Sequence, residues 1–249
     1  LLGLPAAVVA VTAARRRDRD LEAAHSACTD DRRCFLQRLD HELKNPLTAL
    51  RAGLANLASL PGGRERDAVH TSIEAQVLRV NRLVSDLRKL VELEQRPAER
   101  IPVDIGELLA EAMQLAHDVP GREATLNLPQ APWPLPPVLG DRDLLALACY
   151  NLLENACQFT RPGDAIEVRA FEDGQSVVIE VADTGPGIPT EDLPHVFDEL
   201  YRGENARTIE GSGLGLALVR AVARHHNGVV SIRSRTGHGT AVTMRLPLA

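Results

Sequence analysis

The chain has 249 residues, of which 44% are hydrophobic and 25% are charged, a composition typical of a folded protein with room for two small domains. Its net charge of -6 argues against a general nucleic-acid-binding protein, which needs a basic surface to neutralise phosphates. The four cysteines show neither the C-x-x-C spacing of a metal site nor the density of a disulfide framework. We therefore expect reduced thiols in a cytosolic environment.

Residues 1–14 are apolar and end at an arginine cluster, Arg15, Arg16, Arg17 and Arg19. This segment is shorter than the roughly 20 apolar residues that cross a bilayer, so we interpret it as the inner end of a transmembrane helix that begins upstream. The arginines would then lie on the cytoplasmic side of the membrane. The core of a signal peptide and a soluble amphipathic helix are the alternatives.

Leucines recur at three- and four-residue spacing between Leu36 and Leu57, and a second apolar series of similar period runs from Ile73 to Val91. This spacing predicts two helices, each with a buried seam, joined at the segment LPGGRER as a helical hairpin. A single hairpin buries one stripe on each helix, whereas two hairpins paired in a four-helix bundle bury both. We therefore expect a homodimer.

The segment from residue 96 to 103 is polar and contains proline, which indicates a linker between two domains. Beyond it the pattern predicts strands at 101–105 and 124–128 and helices at 106–117 and 141–159. A proline-rich connection joins 124–128 to 141–159. Four more strands follow, at 165–172, 176–183, 228–235 and 240–248, with a glycine-containing loop and a helix at 214–226 between the second and the third. The predicted fold is α+β, a dimeric helical hairpin followed by an α/β sandwich.

His41 lies two residues from both Leu39 and Leu43, which turns it roughly 200° away from the buried seam of the helix. An exposed imidazole that is largely neutral near pH 7 can attack a phosphoryl group, although most surface histidines are merely solvated. In FLQRLDHELKNPLTAL, Glu42 can accept the other ring proton, Asn45 lies one turn further on, and Pro46 removes a backbone hydrogen bond.

The predicted helix 141–159 carries three amide side chains, Asn151, Asn155 and Gln158, at spacings of four and three residues and hence on one face. The neighbouring residues are apolar, so this polar stripe must face water or an ionic ligand. A complex of Mg²⁺ with nucleotide phosphates would satisfy it, because Mg²⁺ prefers oxygen ligands.

Two glycine-containing loops follow. Asp183 ends a predicted strand in VADTGPGIP, where its carboxylate can accept a hydrogen bond from the amine of adenine, which predicts ATP rather than GTP. In GSGLGLALVRAV, alternating glycines open a helix whose free N–H groups favour phosphate. A turn then places Gly239 and Thr240 at the start of the last strand.

These segments resemble, in their order, the sequence boxes of bacterial two-component sensor histidine kinases. FLQRLDHELKNPLTAL resembles the phosphoacceptor box, NLLENACQFT the asparagine box, LPHVFDELYRG the phenylalanine box of the nucleotide lid, and GSGLGLALVRAV the second glycine box. The resemblance covers residues 33 to 249. It implies a phosphoacceptor dimerisation domain followed by a GHKL-type ATP-binding domain of the histidine kinase, gyrase and Hsp90 type.

The resemblance implies a protein-histidine kinase that phosphorylates His41 from Mg-ATP and passes the phosphoryl group to an aspartate in the receiver domain of a response regulator. Glu42 would be the base, Asn45 would orient water for dephosphorylation of that regulator, and Asn155 would bind Mg²⁺. The implied nucleotide-binding residues are Asn151, Asn155, Gln158, Phe159, Asp183, Gly185, Gly187, Ile188, Arg202, Gly211, Ser212, Gly213, Leu214, Gly215, Leu216 and Thr240.

Two positions depart from the family pattern. Gln158 stands where a phosphate-binding lysine is common, which moves that contact to Arg161 or Arg202, and Leu200 replaces a second lid phenylalanine. They support the alternative of an ATP-binding pseudokinase or phosphatase that acts as a dimeric switch. Gyrase-like ATPases are a further alternative, but they lack the phosphoacceptor box and carry a water-activating glutamate at the position of Asn151.

The expected organisation is the end of a transmembrane helix at 1–14, a juxtamembrane signalling helix at 15–32 and the dimerisation and phosphotransfer domain at 33–95. The linker at 96–103 and the catalytic ATP-binding domain at 104–249 complete it. The implied location is the bacterial inner membrane, with the catalytic part in the cytoplasm and no direct contact with nucleic acid.

Overall fold

The structure is a computed structural model that describes residues 32–57, 63–95, 99–117, 123–130, 132–203, 206, 209 and 211–248. The predicted membrane segment at 1–14 and residues 15–31 of the predicted signalling helix lie outside these ranges. Within them, every helix is too short or too polar to cross a bilayer.

The N-terminal part of the described chain is a helical hairpin. Helix α1 spans 32–57 and helix α2 spans Arg64–Gln95, as the two apolar seams predict. Part of each seam remains exposed, with relative residue exposures between 44% and 59%: Leu36, Leu47 and Leu54 on α1, and Val77, Val84 and Val91 on α2. Because most of these residues recur every seven positions, they form a stripe suited to packing against another helical hairpin.

The rest of the chain is an α/β sandwich. Its elements are β1 (Ile101–Val103), α3 (Ile105–His117), β2 (Glu123–Asn127), β3 (Val138–Gly140), α4 (Arg142–Phe159), β4 (Ala165–Asp173), β5 (Ser176–Asp183), a 3₁₀ turn (Leu193–His195), α5 (Gly215–His225), β6 (Val229–Arg235) and β7 (Gly239–Pro247). The main sheet has the order β2-β4-β5-β7-β6, with β2 parallel to β4 and the other neighbours antiparallel. The two-stranded sheet β1-β3 lies beside it.

The hydrophobic core lies between the main sheet and helices α3, α4 and α5, where Leu109, Leu145 and Ile179 are fully buried. Burial alternates along β4 because successive side chains of a strand point to opposite faces. Cys149 and Cys157 are buried in this core outside any disulfide of the described residues, and burial raises the pKa of Cys149 to about 12. Both therefore act as packing residues of the core.

Strand β3 was not predicted. It pairs antiparallel with β1 through Val103↔Val138 and Pro102↔Leu139, yet its three residues follow Pro136 and Pro137 and lie in a segment whose composition is typical of a loop. The first strand, predicted at 101–105, ends earlier, at Val103. Asp104 accepts a hydrogen bond from the backbone N–H of Glu107 at 3.1 Å, and this cap starts α3 at Ile105.

The amide-bearing helix α4 is fixed at its N-terminus by Asp141, which accepts hydrogen bonds from the N–H groups of Asp143 at 3.0 Å and Leu144 at 3.2 Å. The N–H of Asp141 itself donates to His226 Nε2 at 3.0 Å, and His226 Nδ1 donates to the Val222 carbonyl oxygen at 2.8 Å. This neutral imidazole therefore ties the start of α4 to the end of α5.

We expect the stability of the chain to fall in mild acid because of His226. Burial lowers its pKa, with His225 and Arg100 acting in the same direction and Val222 and Asp141 opposing. The unfolded state therefore binds the proton more readily, so the free energy of unfolding is highest above the ordinary histidine pKa of about 6.5 and decreases below it. Urea unfolding at several pH values between 7.5 and 5.5 checks this, and His226→Gln should show a shallower pH dependence. Equal pH slopes in both proteins would contradict it.

Candidate active site

One cavity, of about 390 Å³, lies beside helix α4 and the glycine-containing loops. Most of the predicted nucleotide-binding residues line it: Asn151, Asn155, Gln158, Phe159, Asp183, Gly187, Ile188, Arg202, Gly211, Ser212, Gly213, Gly215, Leu216 and Thr240. These residues come from α4, the end of β5, the loop that joins β5 to α5, the start of α5 and the start of β7. We call this cavity the nucleotide cavity, and the loop between β5 and α5 the lid loop.

The amide stripe of α4 faces the glycines at the start of α5. A Cβ atom at Gly215 would lie 3.1 Å from Asn151 Oδ1 and 3.3 Å from Asn155 Nδ2, so a glycine allows this close approach without displacing the amides. Asn151 Nδ2 donates to the Leu147 carbonyl oxygen at 2.8 Å. Asn155 Nδ2 is buried and has no hydrogen-bond partner among the described residues. A buried donor of this kind needs a partner such as a water molecule or a bound ligand, and the amide also offers an oxygen suited to Mg²⁺.

At the other end of the cavity, β5 presents Asp183. Its Oδ1 accepts a hydrogen bond from the Gly185 N–H at 2.9 Å. Burial raises the pKa of this carboxyl, and hydrogen bonds from the backbone N–H groups of Gly185 and Thr240 oppose the shift. Ser234 Oγ lies 2.8 Å from both Thr240 Oγ1 and the N–H of Ile188. The chain therefore holds a half-buried carboxylate in a fixed position, as recognition of an adenine amine requires.

Three predicted residues do not line the nucleotide cavity. Gly185 packs against the backbone of α4, since a Cβ there would lie 2.8 Å from the Phe159 carbonyl oxygen. Leu214 is fully buried in a separate apolar cluster. Arg161 is not among the lining residues either, so Arg202 is the one of the two candidate phosphate-binding arginines that reaches the cavity.

A second cavity, of about 620 Å³, contains the three predicted catalytic residues, His41, Glu42 and Asn45. We call it the His41 cavity. His41 is exposed, as its offset from the leucine seam predicts. The remaining lining residues are Cys34, Gln37, Arg38, Arg79, Leu200, Tyr201 and Arg202. The His41 cavity therefore lies between the hairpin and the lid loop.

Arg202 lines both cavities. One of its nitrogens lies 4.0 Å from Glu42 Oε2, and another donates to the carbonyl oxygens of Ala206 and Ile209. Burial lowers the pKa of this guanidinium, while Glu42 raises it and Arg79 lowers it. Arg79 in turn binds Glu42 Oε2 at 2.8 Å. Glu42, beside His41, is thus held between one arginine of α2 and one of the lid loop.

Apolar and polar contacts attach the lid loop to the hairpin. Leu200 and Leu214 are buried with Leu83 of α2, and side chains of α1 pack around them. Leu200 has a φ of 59°, a conformation that a non-glycine residue adopts only when its surroundings impose it. Arg38 donates to the Glu199 carbonyl oxygen at 3.1 Å. The leucine at the usual phenylalanine position is therefore an anchor between the two parts of the chain.

Sequence reasoning missed the polar residues that α2 contributes to the two cavities. Arg79 lines the His41 cavity, and Arg82, Asp86 and Lys89 line the nucleotide cavity. Their successive spacings of three, four and three residues place them on one face of α2. This periodic polar face is a signal that the sequence carries beside the apolar seam of the same helix.

Two protein families match segments of the chain. Residues 31–96 match the "His Kinase A (phospho-acceptor) domain", and residues 140–249 match the "Histidine kinase-, DNA gyrase B-, and HSP90-like ATPase". The chain is 37% identical to the probable sensor histidine kinase TcrY of Mycobacterium tuberculosis over 222 residues, which covers 87% of this chain and 46% of that protein. The chain belongs to the sensor histidine kinase family.

The chain is also similar to other sensor kinases. The chain is 35% identical to the sensor-like histidine kinase SenX3 of Mycobacterium tuberculosis, over 87% of this chain and 54% of that protein. It is 32% identical to the adaptive-response sensory kinase SasA of Thermosynechococcus vestitus, over 94% and 63% of the two chains. The chain spans about half the length of the first two of these relatives.

Solved structures show the same architecture. The full-length ShkA structure in complex with AMPPNP matches with a TM-score of 0.59 and 29% identity, over 86% of this chain and 45% of that chain. The Acinetobacter baumannii histidine kinase AdeS matches with a TM-score of 0.66 and 23% identity, over 84% and 98% of the two chains, and so supports the fold alone.

Proposed function

We propose that this chain is the catalytic portion of a membrane-bound bacterial sensor kinase, which transfers the terminal phosphoryl group of Mg-ATP to its own His41 and then to an aspartate of a response regulator. The observation that carries the proposal is the position of Arg202, which lines both the nucleotide cavity and the His41 cavity. A phosphate donor and a histidine acceptor would therefore meet at this side chain.

In the proposed reaction, a neutral ring nitrogen of His41 attacks the terminal phosphorus of ATP, the bond from that phosphorus to the bridging oxygen breaks, and ADP leaves. Glu42 accepts a hydrogen bond from the other ring N–H and stabilises the positive charge that develops on the ring. Asn155 would hold Mg²⁺ through its amide oxygen, and the ion would neutralise part of the phosphate charge. Asp183 selects adenine.

The contacts at Glu42 suggest how the activity is restrained. In the observed arrangement Glu42 binds Arg79 and lies near Arg202 of the lid loop. We infer that a signal reaching α1 rotates or bends the hairpin near Pro46, which releases the lid loop and frees Glu42 to serve His41. Crosslinks between cysteines placed along the leucine seam should therefore change between signalling states.

The proposed organisation follows the same reasoning. Residues 33–95 would form the dimerisation and phosphotransfer domain, 96–103 the linker and 104–249 the catalytic domain, downstream of a membrane segment at 1–14 and a signalling helix at 15–32. The exposed heptad stripe of the hairpin supports a homodimer. The apolar start and its arginine cluster support attachment to the inner membrane with the catalytic part in the cytoplasm.

Asn45 supports a second activity on the same partner. It lines the His41 cavity one turn beyond His41, where its amide could orient water toward a phosphorylated aspartate of the bound regulator. We infer that the protein also dephosphorylates its regulator.

Incubation of the purified chain with Mg-ATP labelled in the terminal phosphate tests the proposal. We expect covalent label that is lost in acid and retained in alkali, as a phosphorus–nitrogen bond requires. Excess unlabelled ATP, but not GTP, should reduce this labelling. A chain that binds ATP and gains no label, or gains acid-stable label, would contradict the proposed kinase and favour a pseudokinase.

A further inference from the structure

The nucleotide cavity includes residues of the hairpin. Arg82, Asp86 and Lys89 of α2 line it together with the amide stripe of α4 and the glycine loop before α5. All three lie outside the segment 140–249 that matches the ATPase family. In the described arrangement the hairpin therefore forms one wall of the cavity.

This cavity lacks a cation at the position that the family pattern would fill with lysine. Gln158 is neutral, and its Nε2 donates to Glu154 Oε1 at 3.2 Å. Among the described residues, the cationic side chains that line the cavity are Arg82, Lys89 and Arg202. A cationic side chain strengthens polyphosphate binding, because the phosphates carry several negative charges.

All three cations have partners in the described arrangement. Arg202 donates to two carbonyl oxygens of the lid loop and lies near Glu42. Arg82 has an interaction partner and lies close enough to Tyr150 to lower its pKa, against the larger effect of burial. Lys89 differs from the other two because its partner, Asp86, also binds the glycine loop before α5.

Lys89 is linked to the glycine loop through one carboxylate. Its Nζ lies 3.4 Å from Asp86 Oδ1, and Asp86 Oδ2 accepts a hydrogen bond from Ser212 Oγ at 2.8 Å. Ser212 stands between Gly211 and Gly213, in the loop whose N–H groups are expected to bind phosphate. The Lys89 side chain is 42% exposed, and its four-carbon stem allows the ammonium group to move toward a ligand.

We propose that Lys89 of the hairpin binds the β- and γ-phosphates of ATP and supplies the cation that Gln158 cannot. In the described arrangement Asp86 holds the ammonium group of Lys89 and the hydroxyl of Ser212. On binding, both donors exchange the carboxylate for phosphate oxygens. This assignment rests on the proposed function, and it makes the dimerisation hairpin part of the nucleotide site.

Equilibrium binding of Mg-ATP and of AMP to the full chain tests this assignment without relying on phosphoryl transfer. Lys89→Gln should weaken ATP binding by about fivefold, as loss of one half-exposed charge-assisted contact predicts, and should leave AMP binding unchanged because AMP lacks the β- and γ-phosphates. Lys89→Arg should retain most of the affinity for ATP. Moving the charge to the family position, in the double variant Lys89→Gln with Gln158→Lys, should restore it.

Arg88→Gln is the matched control. Arg88 is the neighbouring cation on α2, its side chain is 78% exposed, and it binds Glu92 rather than the cavity. Its loss should change neither affinity. Equal ATP affinities for the unaltered chain and a folded Lys89→Gln variant would overturn the assignment, as would an equal loss of AMP binding. An unaltered chain that binds no ATP would overturn the proposed function and this assignment together.

Discussion

Replacing His41 by glutamine should reduce phosphoryl labelling of the chain to background while ATP binding stays unchanged. The glutamine amide can fill the space of the imidazole, but its nitrogen lone pair is delocalised and cannot attack phosphorus. His41 lines the cavity that also holds Glu42, whereas the residues around the nucleotide cavity do not include it. The affinity for ATP should therefore be insensitive to the substitution. Labelling with Mg-ATP and a parallel binding titration measure the two quantities.

His70→Gln is the control for this experiment. His70 is an exposed histidine of α2 that lies 3.3 Å from Glu74, outside both cavities, so its variant should be labelled as fully as the unaltered chain. Persistent label in His41→Gln would show that another residue accepts the phosphoryl group. Label lost equally in both variants would show that the loss reflects folding or dimerisation rather than the acceptor.

The features that sequence predicted well are those fixed by local periodicity. Asn151, Asn155 and Gln158 had to share one face because an α-helix has 3.6 residues per turn, and all three line the nucleotide cavity. The exposure of His41 followed in the same way from its offset to Leu39 and Leu43. Such predictions need only the helix, since the angle between side chains is set by their separation along it.

The features that sequence did not predict depend on contacts between distant segments. Leu200 looked like a weak substitute for phenylalanine, and its burial with Leu83 becomes evident only when the lid loop meets the hairpin. The choice between Arg161 and Arg202 likewise depends on how that loop folds. The polar face of α2 has a clear period, but nothing within the helix indicates which molecule or domain it would contact.

Gly239→Ala should destabilise the chain strongly and weaken ATP binding. Gly239 has a φ of 101°, and a Cβ atom there would overlap the backbone carbonyl oxygen of Asp183. Alanine would thus add left-handed strain and also force β7 away from β5 at the Asp183↔Thr240 pair. The same shift would displace Ser234, whose hydroxyl donates to the Gly239 carbonyl oxygen at 2.9 Å. The wall that positions Asp183 for adenine would be lost with it.

Gly237→Ala, two residues earlier in the same turn, separates strain from overlap. Gly237 also has a positive φ, 78°, but a Cβ there would meet no heavy atom within 4 Å. Its variant should lose only the left-handed strain, about 1 kcal/mol, and keep its affinity for ATP, whereas Gly239→Ala should lose at least about twice as much. Urea unfolding and ATP titration of both variants measure these effects. Equal destabilisation with unchanged ATP binding would mean that the contact between this turn and Asp183 does not shape the nucleotide site.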